Sequence, residues 1–108
     1  MQKEGILPTT VVGHRMRTRR EELGWSQEKV GVLIGIDESS SRARISRYER
    51  GVHEPPVGTA RMIAEALGVP LPFLYCEDDA VAILLCTLYE FPPDQRARRA
   101  KQLLAAIS

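Results

Sequence analysis

A chain of 108 residues, 44% hydrophobic and 27% charged, fits one small soluble domain and excludes wholesale disorder. No apolar run approaches the roughly 18 residues of a membrane-spanning helix, and the polar opening Met1-Gln2-Lys3-Glu4-Gly5 is unlike a signal peptide, so a cytoplasmic protein is expected. The net charge of +1 hides an uneven distribution: residues 14–50 carry nine Lys/Arg against six Asp/Glu and residues 51–108 five against seven, which leaves room for a basic face.

Residues 1–9 lack periodicity and read as a loose arm containing Pro8. From Thr10 to Leu23 the apolar residues Val12, Met16 and Leu23 recur at helical spacing, with Arg15, Arg17, Arg19 and Arg20 between them. Thr9 or Thr10 can cap this helix, and Gly24 can end it. A second, short helix follows from Ser26, an N-cap candidate, with Gln27 and Glu28 in its first turn and Val30, Leu33 and Ile34 leading to Gly35. Val32 and Leu33 make it more apolar than a two-sided surface helix requires. The run Asp37-Glu38-Ser39-Ser40-Ser41 supplies several caps for a third helix ending at Arg50, with Gly51 as its stop.

Pro55-Pro56 separates this from a fourth helix over roughly 58–67, striped by Ala60, Ile63, Ala64 and Leu67 and closed by Gly68. Val69 to Tyr75 reads as a short fifth helix with proline tolerated in its first turn. No segment alternates with period two for long enough to be a strand, so the fold class is all-α. Ala80 to Tyr89 is apolar almost all round, more than an end helix of so small a chain can bury alone, and points to cover by a second subunit. After Pro92-Pro93 a last helix, Asp94 to Ile107, sets Ala97, Ala100, Leu103, Leu104 and Ile107 on one side and Arg96, Arg98, Arg99 and Lys101 mostly on the other. Cys76 and Cys86 suit neither a metal site nor a disulfide and are expected to be small buried hydrophobes.

Two short helices joined by a tight turn, the second rich in arginine and serine, match the helix-turn-helix arrangement, whose second helix lies in the major groove of DNA. The residues carry a closer likeness. Gly13-x-x-Met16-Arg17-x-x-Arg20, Gly24-Trp25-Ser26-Gln27-Glu28, Val30-Gly31, Gly35-Ile36, Ile45-Ser46-Arg47-Tyr48-Glu49-Arg50-Gly51, Pro55, Ala64, Leu67-Gly68-Val69 and Leu74 occur in order. Over residues 12–75 the chain resembles the lambda-repressor/Cro, or Xre, type of helix-turn-helix domain. The resemblance implies a five-helix repressor-like domain over 10–75; residues 76–108 lie outside it, and their apolar pattern reads as a two-helix extension for dimerisation through Val81, Ile83, Leu84, Leu85, Leu88, Leu103 and Leu104.

It also implies a transcriptional regulator, expected to be a repressor, that binds double-stranded operator DNA as a homodimer. By its pattern Gln27 contacts phosphate and braces the recognition helix, and Arg42, Ala43 and Arg47 face base edges. Arg44 and Ser46 flank them, Arg50 and His53 complete the DNA-facing set, and main-chain N–H groups of residues 51–54 touch phosphate. Arg20 and Glu49 fall where the family often has a buried ion pair. One departure stands out: the family's turn before the Ile-Ser pair is about four residues shorter than Gly35 to Ile45. The surplus within Asp37–Ser41 either lengthens the turn or extends the recognition helix, and Ser39, Ser40 and Ser41 become candidate groove contacts or caps. Gly31 stands where alanine is usual, and both are small enough for close helix packing.

Trp25 and Tyr48 read as packing residues, and His14 and His53 do not make a metal pair. Glu77-Asp78-Asp79 suit the start of a helix without any ligand. No phosphate loop or nucleophile–base constellation occurs, so neither an enzyme nor a cofactor is expected. The rival reading is an antitoxin- or adaptor-like module of the same fold whose last helices hold a different protein.

Overall fold

The computed structural model describes residues 10–108; the arm expected over 1–9 lies outside the described residues. The expected all-α fold is what forms: α1 (Val11–Glu22), α2 (Gln27–Leu33), α3 (Glu38–Glu49), α4 (Val57–Leu67), a 3₁₀ helix (Leu71–Tyr75), α5 (Asp79–Tyr89) and α6 (Pro93–Ile107). Side chains cap four of these helices. Thr10, Ser26, Asp37 and Asp78 each accept a bond from a backbone N–H in the first turn, at 3.0 to 3.1 Å. The segment before Cys76, expected as a short fifth helix, is a five-residue 3₁₀ helix with Pro72 in its first turn. Among the described residues no helix is long and apolar enough to cross a membrane.

The core is built from one stripe of each element. Val12 and Met16 of α1 meet Val30 and Ile34 of α2, Ile45 and Tyr48 of α3, Ala60, Ile63, Ala64 and Leu67 of α4, and Phe73 and Leu74 of the 3₁₀ helix. Burying side chains of this size contributes about 1.5–3 kcal/mol each. Val32 and Leu33, surplus to any two-sided helix, are 48% and 52% exposed. Cys76 and Cys86 are free and only half-buried at the core's edge, not inside it, and desolvation pushes the Cys86 thiol up.

Two contacts decide how α3 sits. The first is electrostatic. Arg20 on α1 donates Nε and Nη2 to the two carboxylate oxygens of Glu49 at 2.7 and 3.0 Å, and Nη1 to the Trp25 carbonyl at 2.8 Å. Gln27, the first residue of α2, donates its side-chain amide to the same carboxylate at 3.0 Å. The Glu49 side chain is 3% exposed and that of Arg20 13%, so α1, α2 and α3 are joined through one desolvated group. The bond to Glu49 raises Arg20 above the ordinary arginine range, so the guanidinium stays charged.

The second contact is steric. Gly31 on α2 lies against Ser41 on α3, and a Cβ built on Gly31 would stand 2.4 Å from the Ser41 Cβ and 2.8 Å from its Cα. Alanine is therefore not equivalent to glycine here, contrary to expectation, because part of what it would meet is backbone that cannot rotate away.

The exit of α3 depends on Gly51, whose φ of +77° lies in the left-handed region. Beyond the 3₁₀ helix the packing thins. Ala82 is the only buried residue of α5, and none of α6 is buried.

Gly31→Ala is expected to destabilise the protein by about 1–3 kcal/mol in urea unfolding, overpacking outweighing a gain of roughly 1 kcal/mol in helix propensity. A stabilised variant would mean that α2 and α3 do not approach this closely. Glu49→Ala is expected to cost about 3–5 kcal/mol by the same measurement, because it strands the Arg20 charge among buried groups. A loss below about 1 kcal/mol, the level of an exposed ion pair, would contradict that account.

Candidate nucleic-acid interface

The start of α3 settles the geometry of the surplus residues. Asp37 wins the competition among several caps: its carboxylate accepts the Ser39 N–H at 3.1 Å and also the Ser39 hydroxyl. Those bonds hold the fully exposed Asp37 carboxyl below the usual aspartate range. The helix runs from Glu38, so the serines lie within it and the extra residues lengthen α3 instead of the turn. Four residues add about 6 Å, one helical turn.

Within that turn the three serines separate. Ser39 and Ser40 are exposed. Ser41 is not a groove contact: it is fully buried, and its hydroxyl donates to the carbonyls of Ile36 and Asp37 at 3.1 and 3.0 Å. The reason is helical phase. Ser41, Ile45, Tyr48 and Glu49 are the buried residues of α3, spaced as one stripe.

At about 100° per residue the face opposite that stripe holds Ser39, Ala43, Ser46, Arg47 and Arg50. Arg42 and Arg44 stand on its two flanks. Arg42, Ala43, Arg44, Arg47 and Arg50 are exposed, and Ser46 is half-buried and accepts a bond from Arg50 Nε at 3.2 Å. Arg44, Arg47 and the exposed His53 line a shallow cleft of about 280 Å3 with Tyr48 and Glu54 at the end of the helix.

The charges of α1 and α3 are sorted differently. On α1, Arg15, Arg17, Arg19 and Arg20 all pair with carboxylates: Asp79, Glu21, Glu22 and Glu49. Among the described residues no carboxylate lies in ion-pair range of Arg42, Arg44, Arg47 or Arg50. Four guanidinium groups on one exposed helix with no internal counter-charge form a surface for an external anion.

One sequence expectation changes here. The N–H groups of Gly51, Val52 and His53, expected to face outward, turn back to the carbonyls of Tyr48 and Arg47 at 3.2, 3.0 and 3.4 Å. They complete the C-terminal cap of α3, which a glycine-ended helix requires. Gln27 spends one amide hydrogen on Glu49, keeping the second and its carbonyl for another partner.

Sequence reasoning missed Arg15. Read only as one of four arginines between the apolar residues of α1, it is 6% exposed and reaches Cys76 and Asp79. Its i+3 spacing from Val12 was the available signal, since it sets Arg15 at the edge of the apolar stripe. Asp78 caps α5 and Asp79 meets Arg15, which accounts for two of the three adjacent acids.

Known proteins share this arrangement. A family model described as helix-turn-helix matches residues 16–74. Uncharacterized HTH-type transcriptional regulators of Sinorhizobium medicae (strain WSM419) and of Rhizobium meliloti (strain 1021) are each 38% identical to the chain over 64 residues, which make up 59% of it. The match covers 43% of each relative, so the chain spans under half the length of these curated relatives. The crystal structure of the transcriptional regulator BswR is similar over 89% of this chain and 98% of that one, with a TM-score of 0.75 and 37% identity. A hypothetical transcription factor, NHTF from Neisseria, follows at a TM-score of 0.55 and 27% identity, covering 82% and 80% of the two chains. With its Gln27–Glu49 brace, its glycine-ended third helix and its unpaired arginine face, the chain belongs to the helix-turn-helix family of transcriptional regulators, of the lambda-repressor/Cro type.

Proposed function

We propose that the protein binds operator DNA as a homodimer and represses transcription in the cytoplasm by occluding the promoter. The observation that carries this reading is the exposed face of α3, whose arginines have no carboxylate partner among the described residues. With α3 in the major groove, Arg42, Ala43 and Arg47 face base edges, and an arginine fork suits the O6 and N7 of guanine. Arg44, Ser46, Arg50 and His53 lie toward the phosphates, with Gln27 at the start of α2. Ser39 and Ser40, on the added turn, extend the reach of the helix along the groove.

The dimer contact falls to α5 and α6. Val81, Ile83, Leu84, Leu103 and Leu104 are exposed, while Leu85 and Leu88 are half-buried. An apolar surface spread over two helices is a liability unless something covers it, and a second subunit is the cover proposed here. A two-fold dimer sets its recognition helices about 34 Å apart, in successive major grooves of a near-palindromic site. The same surface would serve the antitoxin- or adaptor-like alternative, and the oligomeric state separates the two.

Arg47→Ala is expected to lower affinity for an operator selected from a random DNA pool by about tenfold or more at fixed salt, with the circular-dichroism spectrum unchanged. Unaltered binding would remove Arg47 from base recognition. In sedimentation equilibrium the wild type is expected to be a dimer and Leu104→Asp a monomer. A monomeric wild type would favour the adaptor reading.

A further inference from the structure

α5 packs lightly on the rest of the protein, with half-buried Cys86 against the core's edge and its hydrogen bonds to α1 confined to the first turn. Ala82 is its only buried residue, Ile83 is 66% exposed, and a groove of about 560 Å3 lies between the Cys86 side of α5 and the His14, Thr18 and Glu22 side of α1. The firm attachment is at the first turn. Arg15 of α1 donates Nε to the Cys76 carbonyl at 2.9 Å, just past the 3₁₀ helix, and Nη1 to the Asp79 carboxylate at 2.8 Å, on the first residue of α5. Its guanidinium carbon lies 5.7 Å from the centre of the Phe73 ring, which belongs to the body. A planar fork bonded at two points and placed beside a ring fixes direction as well as distance. These two bonds sit where the chain leaves the DNA-reading body, so they set the direction in which α5 departs.

We propose that Arg15 is a positioning residue for operator recognition: through Cys76 and Asp79 it fixes the angle of α5 to the body, and with it the half-site spacing that the dimer accepts. The inference rests on the homodimer reading above. Each base pair of spacer moves one half-site by about 3.4 Å and turns it by about 34–36°. A dimer helix locked to the body admits one spacing; a dimer helix free to pivot admits several.

The test measures binding to duplexes that carry the two selected half-sites with the spacer changed one base pair at a time, beside a duplex with a single half-site. Asp79→Ala is the first variant, because its side chain is 83% exposed and its loss leaves the Arg15–Cys76 bond in place. Arg15→Met removes both bonds and keeps most of the stem, and Arg15→Lys keeps the charge without the fork. The wild type is expected to favour one spacer over its neighbours by roughly tenfold. Asp79→Ala and Arg15→Met are expected to reduce that ratio several-fold, with single-half-site affinity and dimer mass unchanged, and Arg15→Lys to fall between. Variants that keep the wild-type spacing profile would overturn the positioning role alone. A dimeric wild type indifferent to spacing would likewise overturn the positioning role alone, and a monomeric wild type would overturn it together with the dimer reading.

Discussion

The carboxylate of Glu49 is the group on which the arrangement of the first three helices depends. A buried carboxylate must be neutralised and hydrogen-bonded, and here Arg20 of α1 and Gln27 of α2 converge on it from two directions. A desolvated pair of this kind is a weak source of net stability, since removing two charges from water consumes most of what their attraction returns. Its geometric consequence is larger. A bidentate contact with bond lengths near 3 Å leaves little freedom for α3 to roll, and the roll of α3 decides which side chains face outward.

The Gly31–Ser41 contact completes that control from the other end of the helix. Glu49 holds the C-terminal turn of α3 and Ser41 the first, and between them Ile45 is fully buried. The added turn is thus docked, not left as a free extension. Ser41 gives up its side chain to the packing, and Ser39 and Ser40 remain at the surface. Arginine does two kinds of work in the same small domain. On α1 it joins elements: Arg19 bonds the last carbonyl of α4 at 2.9 Å, Arg20 holds α3, and Arg15 holds α5. On α3 it has no counter-charge in ion-pair range among the described residues, and this difference, not the net charge of +1, makes one face basic.

Much of the fold was legible because its signals are local. Caps, glycine stops and the proline breaks act on residues within one or two turns, so the helix boundaries came out within a residue or two. The outward residues Arg42, Arg44, Arg47 and Arg50 came instead from the family resemblance, which assigns them to the DNA-facing set, and all four are exposed. The inward position of Ser41 was hidden for a physical reason. Five consecutive residues from Asp37 to Ser41 could all begin a helix, and the phase of everything before Arg42 depends on which one does.

The sequence by itself determined an all-helical chain, the order and approximate ends of its helices, and a third helix rich in arginine. Those properties depend on backbone propensity and on spacing along one strand of covalent bonds. Only the tertiary structure decided that residue 31 admits no Cβ, that Ser41 is interior, that the amides after α3 are spent within its cap, and that Arg15 bridges α1 to α5. Each of these is settled by which atoms meet it from elsewhere in the fold, as Ser41 meets Gly31 and Cys76 meets Arg15, sixty-one residues apart in the chain.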